Sequence, residues 1–121
     1  MTMFLKRKAA IQMTRDMWNW IADETEKRQR VVFKIEYFTE NKIPSVHCDC
    51  FLCEYALGEK GMRCVDKCPL NFGVTMGYAC EYALDSPYRD WKTEAYVLVQ
   101  GNWKRAAQYA RMIANLPERK V

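Results

Sequence analysis

Six cysteines, Cys48, Cys50, Cys53, Cys64, Cys68 and Cys80, fall between positions 48 and 80 of a 121-residue chain. No other feature limits the fold so strongly, and its meaning depends on the compartment. Lys6-Arg7-Lys8 follows directly on the first five residues, and no apolar signal-like segment comes after it. That start predicts a protein kept in a reducing cytosol, where clustered cysteines bind metal or do redox chemistry and do not form a disulfide framework.

The spacing favours metal. Cys50-x2-Cys53 is followed after ten residues by Cys64-x3-Cys68. Zinc takes four soft ligands in a tetrahedron, and two close pairs on tight turns supply them. Pro69 stiffens the second turn, and Gly58 and Gly61 permit the chain to reverse between the pairs. Cys53-Glu-Tyr-Ala-Leu57 recurs identically as Cys80-Glu-Tyr-Ala-Leu84. Each copy reads as a cysteine opening a short helix, where the helix dipole favours the thiolate that binds metal. Cys80 is therefore an alternative to Cys64 or Cys68 as fourth ligand. Cys48 and His47 crowd Cys50 too closely to join it, and Cys48 reads equally as a buried small apolar residue.

Catalysis fits poorly. A dithiol oxidoreductase carries its CxxC after a strand in a βαβ setting, which the pattern lacks. A zinc deaminase needs a His-x-Glu well separated from Pro-Cys-x-x-Cys, whereas His47 abuts the first cysteine pair with no proline before it. His47 is the only histidine, which excludes histidine triads and two-histidine metal sites.

The remaining sequence predicts a mostly α fold and a single zinc-stabilised domain spanning residues 1–121. A long N-terminal helix is expected from Thr14, as N-cap, to about Asn41, with Asp16 in its first turn. Met17, Trp20, Ile21, Val31, Val32, Ile35 and Phe38 lie on its apolar face, and Glu24–Arg28 and Glu26–Arg30 form i,i+4 pairs across a polar waist. Residues 1–12 read as a loose basic arm. Ser45 to Asp85 is a block of loops and short helices organised by zinc. One or two C-terminal helices follow. Ser86-Pro87 starts the first, with Tyr88, Trp91, Ala95 and Leu98 on one face. Asn102 caps the second, whose stripe is Trp103, Ala106, Ala107, Ala110, Ile113 and Ala114, with Pro117 ending it. A short strand over Val97–Val99 competes with that helical reading.

The net charge of +4 is unevenly spread. Residues 1–15 carry +4, 16–42 carry −1, 43–85 carry −3 and 86–121 carry +4, which sums to +4. Four thiolates and one zinc would lower the total to about +2, too weak for nucleic-acid binding by charge alone. No stretch approaches the ~20 apolar residues of a membrane span. Trp18 and Trp20, two apart on a helix, cannot both face one core, so one is expected to be partly exposed. Trp18, Trp20, Trp103, Lys104, Arg105 and Arg111 are the candidate partner-binding residues, on the first and last helices. Lys6-Arg7-Lys8 with Arg15 is a lesser candidate for touching phosphate.

Met13-Thr-Arg-Asp-Met-Trp-Asn-Trp-Ile21, Cys50-x2-Cys53-Glu-Tyr-Ala56, Cys64-x3-Cys68-Pro-Leu70 and Ile113-Ala-Asn-Leu-Pro117 together resemble small cysteine-rich accessory proteins of tailed bacteriophages. The family's second pair is Cys-x2-Cys-Pro-Leu, and here three residues stand between Cys64 and Cys68. The resemblance implies a zinc-finger-like, non-enzymatic protein of the bacterial host cytosol. Such a protein binds a host protein, for instance a defence or regulatory factor, or alternatively nucleic acid.

Overall fold

The computed structural model describes residues 6–43, 51, 70, 86–96 and 102–118. Four helices carry these residues: α1 (Arg7–Arg28), α2 (Lys34–Glu40), α3 (Pro87–Ala95) and α4 (Trp103–Ala114). The fold is mostly helical, as the periodicity predicts. Ala10, Ile11, Thr14, Met17, Trp18, Ile21, Ala22 and Thr25 are the buried positions of α1, at i, i+3, i+4 and i+7 spacing. They pack on α4, whose buried face is Ala106, Ala107, Ala110, Ile113 and Ala114. Small side chains on both faces let two helix axes approach closely. α4 packs in turn on α3, which buries Pro87, Trp91 and Ala95.

The N-terminal helix departs from expectation at both ends. It begins at Arg7, so residues 7–12 are not a loose arm, and Ala10 and Ile11 belong to the core. Thr14 is no N-cap. It is buried inside the helix, and its hydroxyl donates to Ala10 O at 2.7 Å, the back-bond that satisfies a hydroxyl within a helix. The helix also stops early. Gln29 takes a left-handed conformation (φ 54°), and its N–H donates to Thr25 O. Arg30 N–H donates to the same carbonyl at 3.3 Å, a Schellman-type ending. The Thr25 hydroxyl, fully buried, accepts from Val32 N–H at 3.2 Å. One threonine thus receives three backbone donors and sets the turn into α2.

Caps near the C-terminus form as the sequence predicts. Ser86 Oγ accepts from Tyr88 N–H at 3.2 Å with Pro87 in the first turn. Asn102 Oδ1 accepts from Arg105 N–H at 3.2 Å. α4 ends at Ala114, before Pro117. Leu98 and Val97–Val99 lie outside the described residues.

Three arginines tie α1 to α4 and the segment after it. Arg7 pairs with Glu118 at 2.9 Å. Arg15 donates to Ala114 O at 2.7 Å and Leu116 O at 2.9 Å, closing carbonyls that the end of α4 leaves unpaired and placing a cation at its negative pole. Arg111 pairs with Asp23 at 2.9 Å and Glu26 at 2.7 Å. The basic N-terminal run is therefore engaged within the fold at Arg7 and Arg15.

α2 doubles back along α1. Tyr37 meets the Trp20 ring edge-on at 5.4 Å. Arg28, 5.8 Å above the Trp20 ring, donates to Glu40 at 2.6 and 2.8 Å and to Glu24 at 2.9 Å. The Glu24–Arg28 pair is the expected one. Glu26–Arg30 does not form, because the chain has left the helix at Gln29; Arg30 pairs with Glu36 at 2.7 Å instead. Glu36 also accepts from Phe33 N–H at 2.8 Å, closing the start of α2.

This ion network predicts an acid response. The hydrogen bond from Arg30 holds the Glu36 carboxyl below its ordinary pKa, helped by Phe33 N–H. Arg28 does the same to Glu40. A carboxylate whose pKa is depressed on folding stabilises the fold in full above its unfolded pKa of about 4.3, and that contribution is lost as pH falls through the folded value. The urea midpoint should hold from pH 7 to 5 and fall below about pH 4. Glu40 is exposed and Glu36 half-buried, so solvent screening will keep the slope modest. Arg28→Met should flatten it; a midpoint that falls equally in the variant would show that these carboxylates are not the titrating groups.

Candidate functional site

Cys48, Cys50, Cys53, Cys64, Cys68, Cys80 and His47 lie outside the described residues, as do Gly58, Gly61 and both copies of the Cys-Glu-Tyr-Ala-Leu echo. Two residues of the central block are described. Phe51, between Cys50 and Cys53 in sequence, is fully buried, and Leu70, two after Cys68, is 2 % exposed. Both join the same core cluster as Trp18, Trp91 and Ile113. Among the described residues no group of three His, Cys, Asp or Glu side chains is placed to hold a metal ion.

The candidate interaction residues separate. Trp18 is 4 % exposed and meets Trp91 edge-on at 4.9 Å and Tyr88 at 5.7 Å. Trp91 is itself buried, and its indole N–H has no oxygen or nitrogen acceptor among the described residues, so ring packing alone holds it. Trp18 is therefore the core member of the tryptophan pair and leaves the expected surface. Trp20 is half-buried, roofed by Arg28 and flanked by Tyr37. Arg111 is not a free cation, because Asp23 and Glu26 engage it. The hydrogen bond that it donates to Glu26 is the main cause that raises its pKa.

Trp103, Lys104 and Arg105 do come together, in the first turn of α4. Lys104 Nζ sits 5.6 Å from the centroid of the half-buried Trp103 ring. Arg105 is exposed and lies 3.7 Å from Glu94 of α3. Gln108 and Met112 follow on the same side of the helix, four residues apart, and both are exposed. Met112 was missed as a surface residue although its signal is present, since it lies off the alanine stripe. Ile35 and Tyr96 are also large exposed apolar residues. Ile35 corrects the expected apolar face: the break at Gln29 re-registers everything after it, and Ile35 turns outward. Among the described residues no helix is long and apolar enough to cross a membrane.

Compared with known protein families, curated proteins and solved structures, the chain matches none of them.

Proposed function

We propose that this protein acts by binding a partner protein through the outer side of α4, with a zinc ion in the cysteine block stabilising the fold and no catalytic role. The observation that supports a protein over nucleic acid is the employment of the arginines. Arg7, Arg28, Arg30 and Arg111 pair with carboxylates of the chain itself, and Arg15 is bound to backbone carbonyls. Phosphate recognition needs such groups released and clustered. What faces outward on α4 is a mixed stripe of Lys104, Arg105, Gln108 and Met112 beside Trp103. A few aromatic, arginine and methionine anchors within a polar rim suit a protein interface. Zinc is supported by the cysteine spacing, with Cys50 and Cys53 joined by two of Cys64, Cys68 and Cys80. The resemblance to phage accessory proteins directs the choice of partner to a bacterial host protein, such as a defence or regulatory factor.

The test is affinity capture from bacterial lysate with and without nuclease, followed by binding of the purified partner. Capture should survive nuclease. Lys104→Glu with Arg105→Glu should slow association with an acidic partner at low salt. Met112→Ala should weaken binding severalfold while the melting temperature stays near the wild-type value, since exposed substitutions change stability by only about 0.5 kcal/mol. Binding that disappears with nuclease, or that falls steeply and linearly with the logarithm of salt concentration, would establish nucleic acid as the partner instead.

A further inference from the structure

We propose that Phe51 and Leu70 couple metal binding in the cysteine block to the docking of α2 and of the segment after α4; the inference rests on the zinc reading above. α2 has seven residues, too few to hold helical form by itself. It is held by a partly exposed ion network, by the ring contact of Tyr37 on Trp20, and by Phe38, its one buried residue. Phe51 adds to that hold from the cysteine block. It is fully buried, with its ring 5.5 Å from Phe38 and 6.5 Å from Tyr37, both on α2. Leu70 is equally buried, and its backbone bridges to Glu118 in antiparallel fashion. Glu118 in turn pairs with Arg7 at the start of α1.

The sequence makes these two contacts consequential. Phe51 is bonded directly to Cys50 and stands inside Cys50-x2-Cys53; Leu70 is joined through Pro69 to Cys68. One buried residue therefore accompanies each cysteine pair, and both residues enter one core cluster. A metal that draws the pairs together restricts the same stretches of chain that present Phe51 and Leu70 to the helices. Coupling of this kind is reciprocal: whatever factor metal adds to docking, docking adds to metal affinity.

The experiment uses the full chain with zinc alone as the probe. Zinc affinity is measured by competition with a chromogenic chelator for the wild type, Phe51→Ala, Leu70→Ala and Ile113→Val. Ile113→Val trims the same core at a residue far along the sequence from the cysteines. Phe51→Ala and Leu70→Ala should each lose roughly tenfold or more in zinc affinity, the range seen when groups supporting metal ligands are removed, while Ile113→Val keeps the wild-type value. Phe51→Leu, which retains apolar bulk, should lose less and guards against a variant that fails to fold. In the wild type, chelation should speed amide exchange in residues 36–40 and at Glu118 well beyond its effect on residues 17–22 and 106–113. Wild-type zinc affinity in both alanine variants, or an equal change in exchange across all four helices, overturns the coupling. A wild-type chain that takes up no zinc overturns the zinc reading itself, a different outcome from a chain that binds zinc independently of Phe51.

Discussion

Trp18→Ala will cost the helical core about 3–5 kcal/mol, the range for removing a large buried aromatic ring, and Trp20→Ala will cost clearly less. The two tryptophans lie two residues apart on α1, and the structure places them in different environments. Trp18 is 4 % exposed. It meets Trp91 and Tyr88 edge-on, and Phe33 and Tyr96 continue the ring cluster around Trp91. Truncation leaves a cavity that rings fixed on α3 cannot easily fill. Against a total stability of about 5–15 kcal/mol for an ordinary domain, that loss is about a fifth or more of the whole. Trp20 is half-buried, and its edge contact with Tyr37 and its cover by Arg28 can be replaced in part by water. Urea unfolding followed by far-ultraviolet circular dichroism decides the matter. Equal losses from the two substitutions would mean that Trp18 does not occupy the centre of the core.

Which of these features the sequence discloses follows from how local their causes are. Ser86 and Asn102 announce their helices because a cap is a contact within three residues. Glu24–Arg28 is legible for the same reason. The start of α1 is not, because of the residues buried there, Ala10, Ile11 and Thr14, only Ile11 carries a strong hydrophobic signal; the face packs on the alanines of α4. The break at Gln29 is harder still. Glycine would mark a left-handed residue, whereas Gln29 is held at positive φ by donors converging on Thr25. The ties from Arg15 to Ala114 O and from Arg111 to Asp23 and Glu26 span most of the chain and leave no local trace. They convert Arg15, a candidate phosphate contact, and Arg111, a candidate partner contact, into structural residues, and that change favours a protein partner over nucleic acid. The cysteine pairs, the strongest sequence signal, lie outside the described residues, and among the described residues Phe51 and Leu70 are what connect that signal to the fold.

The full-length chain should carry one zinc ion per molecule, and Cys50→Ser or Cys53→Ser should each abolish its retention. Structural zinc bound by thiolates contributes folding free energy of about 10–16 kcal/mol in small zinc modules at neutral pH, so losing a ligand from the first pair should remove a large part of such a contribution. Cys48→Ser should keep both metal and fold, because a second ligand two residues from Cys50 would force Asp49 against the ion. Among Cys64, Cys68 and Cys80, two substitutions should release zinc and one should not, and the silent one identifies the cysteine outside the tetrahedron. Native mass spectrometry counts the ion directly, and thermal melting with and without chelator reports its contribution to stability. A mass equal to that of the bare polypeptide, with the same melting temperature in chelator, would end the zinc reading. Zinc lost from Cys48→Ser but kept in Cys50→Ser would instead make Cys48 the first ligand and widen the first knuckle to Cys48-x4-Cys53, with Phe51 still between its ligands.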